Sequence, residues 1–150
     1  MSKFAELLNT QDILLGVEAT NKPGLFELVG QHMEQTYQLP RSCVTTSLLR
    51  REQAGSTGIG EGVAVPHARL SELDSIHVLY LRPKEFIAFN TPDRKPVSDI
   101  IVLLVPAPAS PLHLDLLAEI AHMFSDNKFR EELDRCKNEQ EIKNLFDCRS

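Results

Sequence analysis

The sequence feature that most constrains the fold is the run DIIVLLV at residues 99–105, in which every residue from Ile100 to Val105 is apolar. Side chains alternate between the two sides of a strand, so a strand that is apolar throughout is typical of a position buried on both faces. Strand and helix patterns are mixed along the rest of the chain. The sequence therefore predicts an α/β layered domain with a mixed sheet, in which residues 99–105 form a central strand.

Hydrophobic periodicity and capping residues predict the other elements. Alternation or short apolar runs predict strands at residues 13–17, 63–65, 75–81 and 86–89. Three- and four-residue spacings predict helices at residues 4–8, 21–37, 40–53, 110–124, 126–133 and 142–146. Asn21, Ser110 and Asp126 are the predicted N-caps, and the segment from Pro106 to Ala109 is expected to end the central strand.

Composition limits the class of protein. The chain has 150 residues, of which 42% are hydrophobic and 25% charged, and this predicts one globular domain spanning residues 1–150. It has no apolar stretch of transmembrane length, and Glu6 stands where a signal peptide would be apolar, so we expect neither membrane insertion nor secretion. The net charge of −5 argues against a nucleic-acid partner.

The cysteines favour a cytoplasmic protein. Cys43, Cys136 and Cys148 are an odd number and show no CxxC spacing. This pattern is typical of free thiols, with a Cys136–Cys148 bridge as the alternative.

The densest local signal is the segment GSTGIGEGVAVPH at residues 55–67. Its four glycines indicate positive φ angles or a close approach of the backbone to another group. No Lys-Ser or Lys-Thr pair follows, a predicted helix precedes the glycines where the dinucleotide motif has a strand, and Ala54 stands where a nucleophile elbow around Ser56 needs glycine. The segment instead predicts a short strand, residues 63–65, that ends at Pro66 and presents His67.

Three residues are candidates for chemistry, although each also has an ordinary structural explanation. His67 follows the short strand, His113 lies in the first turn of the helix after Pro111, and Arg51 lies near the end of the helix before the glycines. Separately they are explained as a surface histidine, a solvated first-turn residue and an arginine that complements the helix dipole. Together they suit phosphoryl transfer, because neutral imidazole is a nucleophile near pH 7 and arginine and helix N-termini bind phosphoryl oxygens.

The remaining histidines are assigned to packing or to the surface: His32, His77 and His122. No HExxH motif or compact His/Cys cluster occurs, so no metal site is predicted.

The segment STGIGEGVAVPHA at residues 56–68 resembles the signature of the type-2 enzyme IIA domains of the bacterial phosphoenolpyruvate-dependent phosphotransferase system (PTS), which include mannitol/fructose and nitrogen-regulatory IIA proteins. Arg51-Glu52, before the glycines, and Leu112-His113-Leu114, after Val105-Pro106-Ala107, extend the likeness to essentially the whole chain. The resemblance implies a mixed sheet flanked by helices on both faces.

The resemblance also implies residue roles. His67 matches the histidine phosphorylated on its tele nitrogen, His113 matches the accessory histidine, and Arg51 matches the arginine that holds the phosphoryl group. Ser56 and Thr57 match phosphate-binding turn residues, and no cofactor is implied. Small departures occur at Val65 and at Ala68-Arg69, where isoleucine and Gly-Lys are frequent in the family.

The expected function is that of a cytoplasmic PTS phosphocarrier that accepts its phosphoryl group on His67 from the phosphohistidine of an HPr-like donor (NPr), with a regulatory, nitrogen-type output. A chain holding only this domain, without attached IIB or IIC, favours that output. Two alternatives stay open: a sugar-specific IIA that passes the phosphoryl group to a separate IIB, and a regulatory binding module switched by phosphorylation of His67.

Overall fold

A computed structural model describes residues 3–107 and 110–149. Along the chain the elements are α1 (Lys3–Leu7), β1 (Leu8–Val17), α2 (Lys22–Tyr37), α3 (Arg41–Gln53), β2 (Gly58–Gly60), β3 (Val63–Ala64), β4 (His67–Leu70), β5 (His77–Pro83), β6 (Asp99–Pro106), α4 (Pro111–Phe124), α5 (Asn127–Arg135) and α6 (Glu139–Arg149). Pro108 and Ala109, which were expected to help end the central strand, lie outside the described residues.

The strands of the described chain form one mixed sheet around β6. The order is β1-β5-β6-β3-β2, and β4 also pairs with β6. Strand β5 runs antiparallel to β6, whereas β3 and β4 both run parallel to it. Every residue from Ile100 to Val105 is buried, which confirms the predicted central strand.

Helices cover both faces of the sheet because the side chains of β6 alternate between two apolar clusters. Ile101, Leu103 and Val105 pack with apolar residues of α1, α4, α5 and α6. Ile100, Val102 and Leu104 face the opposite side and pack with α2 and α3. The structure is therefore the single α/β domain that was expected, with a mixed sheet between two helical layers.

Several predicted boundaries need correction. The strand predicted at residues 86–89 is wrong, because this segment makes only an isolated bridge, between Ile87 and Val97, and the carbonyl of Phe89 accepts a hydrogen bond from the Ser56 hydroxyl. Leu8, predicted to end the first helix, begins β1. The short strands β2 and β4 were not predicted.

Two of the three predicted N-caps are confirmed. The side chains of Asn21 and Asp126 accept hydrogen bonds from the backbone N–H groups of Gly24 and Lys128. Ser110 occupies the N-cap position of α4 but its side chain makes no capping bond, and its backbone carbonyl accepts the His113 N–H at 3.1 Å instead.

Two further expectations concern membrane-spanning helices and the state of the cysteines. None of the helices in the described residues is long and apolar enough to cross a membrane. Cys43, Cys136 and Cys148 are all free thiols, so the alternative Cys136–Cys148 bridge does not form.

Candidate active site

His67 lies where the strand beside β6 is interrupted. Ala64 of β3 pairs with Ile100 and His67 of β4 pairs with Leu103, while Val65 and Pro66 separate the two short strands. Pro66 has no N–H to donate, but its carbonyl accepts the Leu103 N–H at 3.0 Å and pairing resumes. The prediction that the strand ends at Pro66 and presents His67 beyond it is therefore corrected, since His67 is the first residue of a new strand.

Three of the four glycines in the segment before this point are required for the two reasons expected, and Gly55 is not. Gly60 and Gly62 have φ angles of +92° and +77°, a region that other residues enter at a cost. A Cβ on Gly58 would lie 2.4 Å from Cγ2 of Thr91. The loop is thus shaped by tight turns and close packing.

Hydrogen bonds orient the His67 ring and select its tautomer. Nδ1 lies 2.9 Å from the backbone carbonyl oxygen of Val65, and a carbonyl can only accept, so Nδ1 carries the proton. Nε2 then presents its lone pair, to which Arg51 Nε donates at 3.2 Å. Burial, above all, lowers the pKa of His67, and the positive charge of Arg51 lowers it further, so the ring is neutral near pH 7.

Arg51 is held by two hydrogen bonds of its guanidinium. It lies in the last turn of α3, where its charge also complements the helix dipole. Besides the bond to His67, Nη1 donates to the carbonyl of Gly55 at 2.9 Å. The guanidinium is therefore fixed beside the nucleophilic nitrogen before any ligand arrives.

His113 brings a second imidazole to the same place. Its ring centroid lies 5.5 Å from that of His67, and the residue is 8% exposed. Its Nε2 is buried and has no hydrogen-bond partner among the described residues, which costs free energy unless a ligand supplies one. Burial chiefly lowers the pKa of His113, and the neighbouring His67 and Arg69 lower it further, so this ring is neutral too.

The three residues open onto one recess of about 370 Å³, which Arg50, Arg69 and other residues of α3 and β4 also line. The structure therefore brings together three of the sequence-predicted residues, Arg51, His67 and His113. These supply a neutral imidazole with an exposed lone pair, a fixed cation and a second imidazole whose Nε2 has no partner among the residues described.

The hydroxyls of Ser56 and Thr57 do not line this recess. The Ser56 hydroxyl donates to the Phe89 carbonyl and accepts the Gly58 N–H. The Thr57 hydroxyl and N–H both donate to the carboxylate of Glu52, at 2.6 and 3.0 Å. Both residues shape the glycine loop through these bonds.

Sequence reasoning missed the part played by Glu52, which is 8% exposed and also pairs with Lys22 Nζ at 2.9 Å. The Thr57 carbonyl in turn accepts the Val65 N–H at 2.9 Å, and the Val65 carbonyl orients His67. A continuous chain of bonds thus joins the partly buried ion pair of Glu52 and Lys22 to the ring of His67. Only the adjacency of Glu52 to Arg51 signalled a role, and nothing local signals Lys22.

No group of three or more histidine, cysteine, aspartate or glutamate side chains in the described part of the chain could hold a metal ion.

In this α/β domain a neutral, oriented histidine lies beside a fixed arginine, an arrangement that suits phosphoryl transfer. The family model described as "Phosphoenolpyruvate-dependent sugar phosphotransferase system, EIIA 2" matches residues 6–148, and the chain belongs to this family.

Similar proteins include both regulatory and sugar-specific members. The chain is 37% identical over 140 residues to a nitrogen regulatory protein of Bradyrhizobium diazoefficiens, covering 93% of this chain and 91% of that protein. It is 30% identical to a fructose-specific EIIA component of Haloferax volcanii, covering 71% and 69%. The crystal structure of nitrogen regulatory protein IIA-Ntr from Neisseria meningitidis superposes with a TM-score of 0.88 at 37% identity, covering 95% and 97%.

Proposed function

We propose that residues 1–150 act as one cytoplasmic phosphocarrier domain in which Nε2 of His67 accepts a phosphoryl group from the phosphohistidine of an HPr-like protein, and that its output is regulatory. The observation that carries this proposal is the hydrogen bond from Nδ1 of His67 to the Val65 carbonyl. It leaves Nε2 unprotonated and facing Arg51.

The transfer step exchanges one P–N bond for another. The Nε2 lone pair of His67 attacks the phosphorus, and the P–N bond of the donor breaks with its electron pair returning to the donor imidazole. Arg51 Nε donates a hydrogen bond to Nε2 at 3.2 Å before the transfer. Once the Nε2 lone pair has formed the new P–N bond, the Arg51 N–H donates to a phosphoryl oxygen instead. The protein contributes position and charge rather than covalent chemistry.

The site offers partners for the incoming oxygens. Nε2 of His113 is buried and has no partner within residues 3–107 and 110–149. In the tautomer with its proton on Nε2, His113 would donate to a phosphoryl oxygen. His113 also lies in the first turn of the 14-residue helix α4, where the helix dipole favours an anion. An incoming group of charge about −2 therefore meets donors on two sides.

Two of the relatives described above support a regulatory output. Both are named nitrogen regulatory proteins, and each aligns with this chain over more than nine-tenths of both lengths. Phosphorylation would place a dianion in a recess that now carries positive charge, so a target protein could distinguish the two states. The three free thiols are in keeping with the reducing cytoplasm.

Reconstituted phosphorylation tests the proposal. The purified protein is incubated with phosphoenolpyruvate, enzyme I and an HPr-like donor, and acid-labile, base-stable phosphate is quantified. We expect one phosphoryl group per chain in the wild type and in the control His122→Ala, an exposed histidine of α4, and none in His67→Ala. An acid-labile phosphate that persists in His67→Ala would overturn the assignment.

The second candidate is a sugar-specific IIA that passes the phosphoryl group to a separate IIB. It is favoured by the fructose-specific component, which is 30% identical to this chain. Rapid, stoichiometric transfer from the phosphorylated protein to a IIB, or a sugar-permease gene beside its own, would support this candidate against the regulatory one.

A further inference from the structure

Arg69 is an unused cation beside the proposed nucleophile. His67 and Arg69 are the first and third residues of β4, so their side chains leave the strand on the same face, with Cα atoms roughly 6.5 Å apart. Both side chains line the recess that contains Arg51 and His113. The topology therefore brings a second guanidinium to the site from β4, in addition to the one that α3 supplies.

The guanidinium of Arg69 is free to bind a ligand. It makes no hydrogen bond or ion pair with the described residues and it is exposed, whereas Arg51 spends two of its N–H groups on His67 and Gly55. A phosphoryl group on Nε2 presents three oxygens, of which Arg51 and His113 would satisfy some. The N–H groups of Arg69, on β4, can donate to the remaining phosphoryl oxygens.

The charge of Arg69 reaches both imidazoles. Its positive charge contributes to lowering the pKa of His67 and of His113, after the larger effect of burial. A cation that disfavours protonation of both rings favours, by the same electrostatics, an anion placed between them.

We propose that Arg69 is a phosphoryl-positioning residue, whose guanidinium binds the phosphoryl group on His67 and stabilises the phosphorylated state. Together with Arg51 it would match a charge of about −2 with two positive charges. This inference rests on the proposed function, because it names a further residue of the same site.

The inference predicts a thermodynamic effect on the phosphorylated protein. Removing Arg69 should lower the equilibrium constant for phosphoryl transfer from an HPr-like donor by about 1.5-fold to fivefold, the range expected for one ion pair at an exposed position. Arg69→Gln removes the charge, whereas Arg69→Lys keeps it. Arg135→Gln, an exposed arginine of α5 outside the recess, serves as the matched control.

A second readout needs no protein donor. Wild type and variants are phosphorylated chemically with phosphoramidate, with His67→Ala identifying the signal of interest, and the phosphoryl group is titrated by ³¹P NMR. Because a nearby cation favours the dianion, Arg69→Gln should raise the pKa of the phosphoryl group, and Arg69→Lys should largely restore it. In the unphosphorylated protein, Arg69→Gln should raise the pKa of both His67 and His113, while Arg135→Gln changes none of these values.

The outcomes separate the two proposals. If the donor phosphorylates the wild type but Arg69→Gln changes neither the equilibrium constant nor the phosphoryl pKa, the role of Arg69 is overturned and the phosphocarrier function stands. If the donor does not phosphorylate the wild type, the proposed function fails, and the chemically phosphorylated protein still decides the role of Arg69. An equal effect of Arg135→Gln would show that only net charge matters and would also overturn the inference.

Discussion

Glu52→Gln should destabilise the protein, because the carboxylate is the shared acceptor of three bonds. It accepts the Thr57 N–H and hydroxyl and pairs with Lys22, and its side chain is only 5% exposed. Glutamine keeps one acceptor oxygen but turns the other into a donor, so at least one bond is lost and Lys22 loses its anion. Bonds to charged groups contribute about 1.5–3 kcal/mol, and breaking a fully buried ion pair costs about 3–5 kcal/mol.

The Lys22 side chain is 18% exposed, so water offsets part of that cost and the expected loss is about 2–4 kcal/mol. For a chain of this size the corresponding fall in Tm is about 5–15 °C. Urea unfolding followed by circular dichroism measures the free energy of unfolding. A double-mutant cycle with Lys22→Met should show a coupling energy of about 1 kcal/mol or more between the two side chains.

The same substitution should disturb the active site while the protein remains folded. Glu52 holds Thr57, whose carbonyl binds Val65, and Val65 selects the tautomer of His67. Well below the unfolding midpoint, we therefore expect slower phosphorylation and, by ¹⁵N NMR, a population of His67 with the proton on Nε2. If Glu52→Gln lowers the free energy of unfolding by less than about 0.5 kcal/mol, the effect of an ordinary surface substitution, the reasoning is refuted.

Two further substitutions test other parts of the structure. Arg51→Gln should slow phosphorylation of His67 by about a hundredfold to a thousandfold. It should also move the acid limb of the pH–rate profile to higher pH, because the charge of Arg51 lowers the pKa of His67 and only the unprotonated ring reacts; an unmoved limb would contradict this. Asp12→Ala should lower the free energy of unfolding in urea by about 2–3 kcal/mol. The buried carboxylate of Asp12 lies 2.7 Å from His32 Nε2 and accepts the Tyr37 hydroxyl at 2.6 Å. A loss below about 1 kcal/mol would show that water replaces the carboxylate.

The elements predicted correctly from sequence are those whose pattern is local. The apolar run of β6 and the capping residues Asn21 and Asp126 specify their elements without help from the rest of the chain. The strands that were missed, β2 and β4, are only three and four residues long, and they exist because β3 and β6 offer them partners. Pairing of this kind leaves almost no periodic signal in a short segment.

In the candidate site, too, some features could be predicted from sequence and others could not. The residue types and the resemblance to the family pointed to His67, His113 and Arg51, and the structure brings their side chains together. The bonds of the Ser56 and Thr57 hydroxyls could not be predicted, because their partners Phe89 and Glu52 come together only on folding.

By itself, the sequence determined the class of fold, the central strand and the family of this protein, since these follow from hydrophobic pattern and from a long, specific motif. Only the tertiary structure decided which nitrogen of His67 is unprotonated, that Nε2 of His113 has no partner in the described part of the chain, and that Arg69 shares their recess. The physical reason is that protonation, burial and charge at a site depend on distances between side chains that lie far apart in the sequence. Those distances are set when β4, α3 and α4 meet around β6.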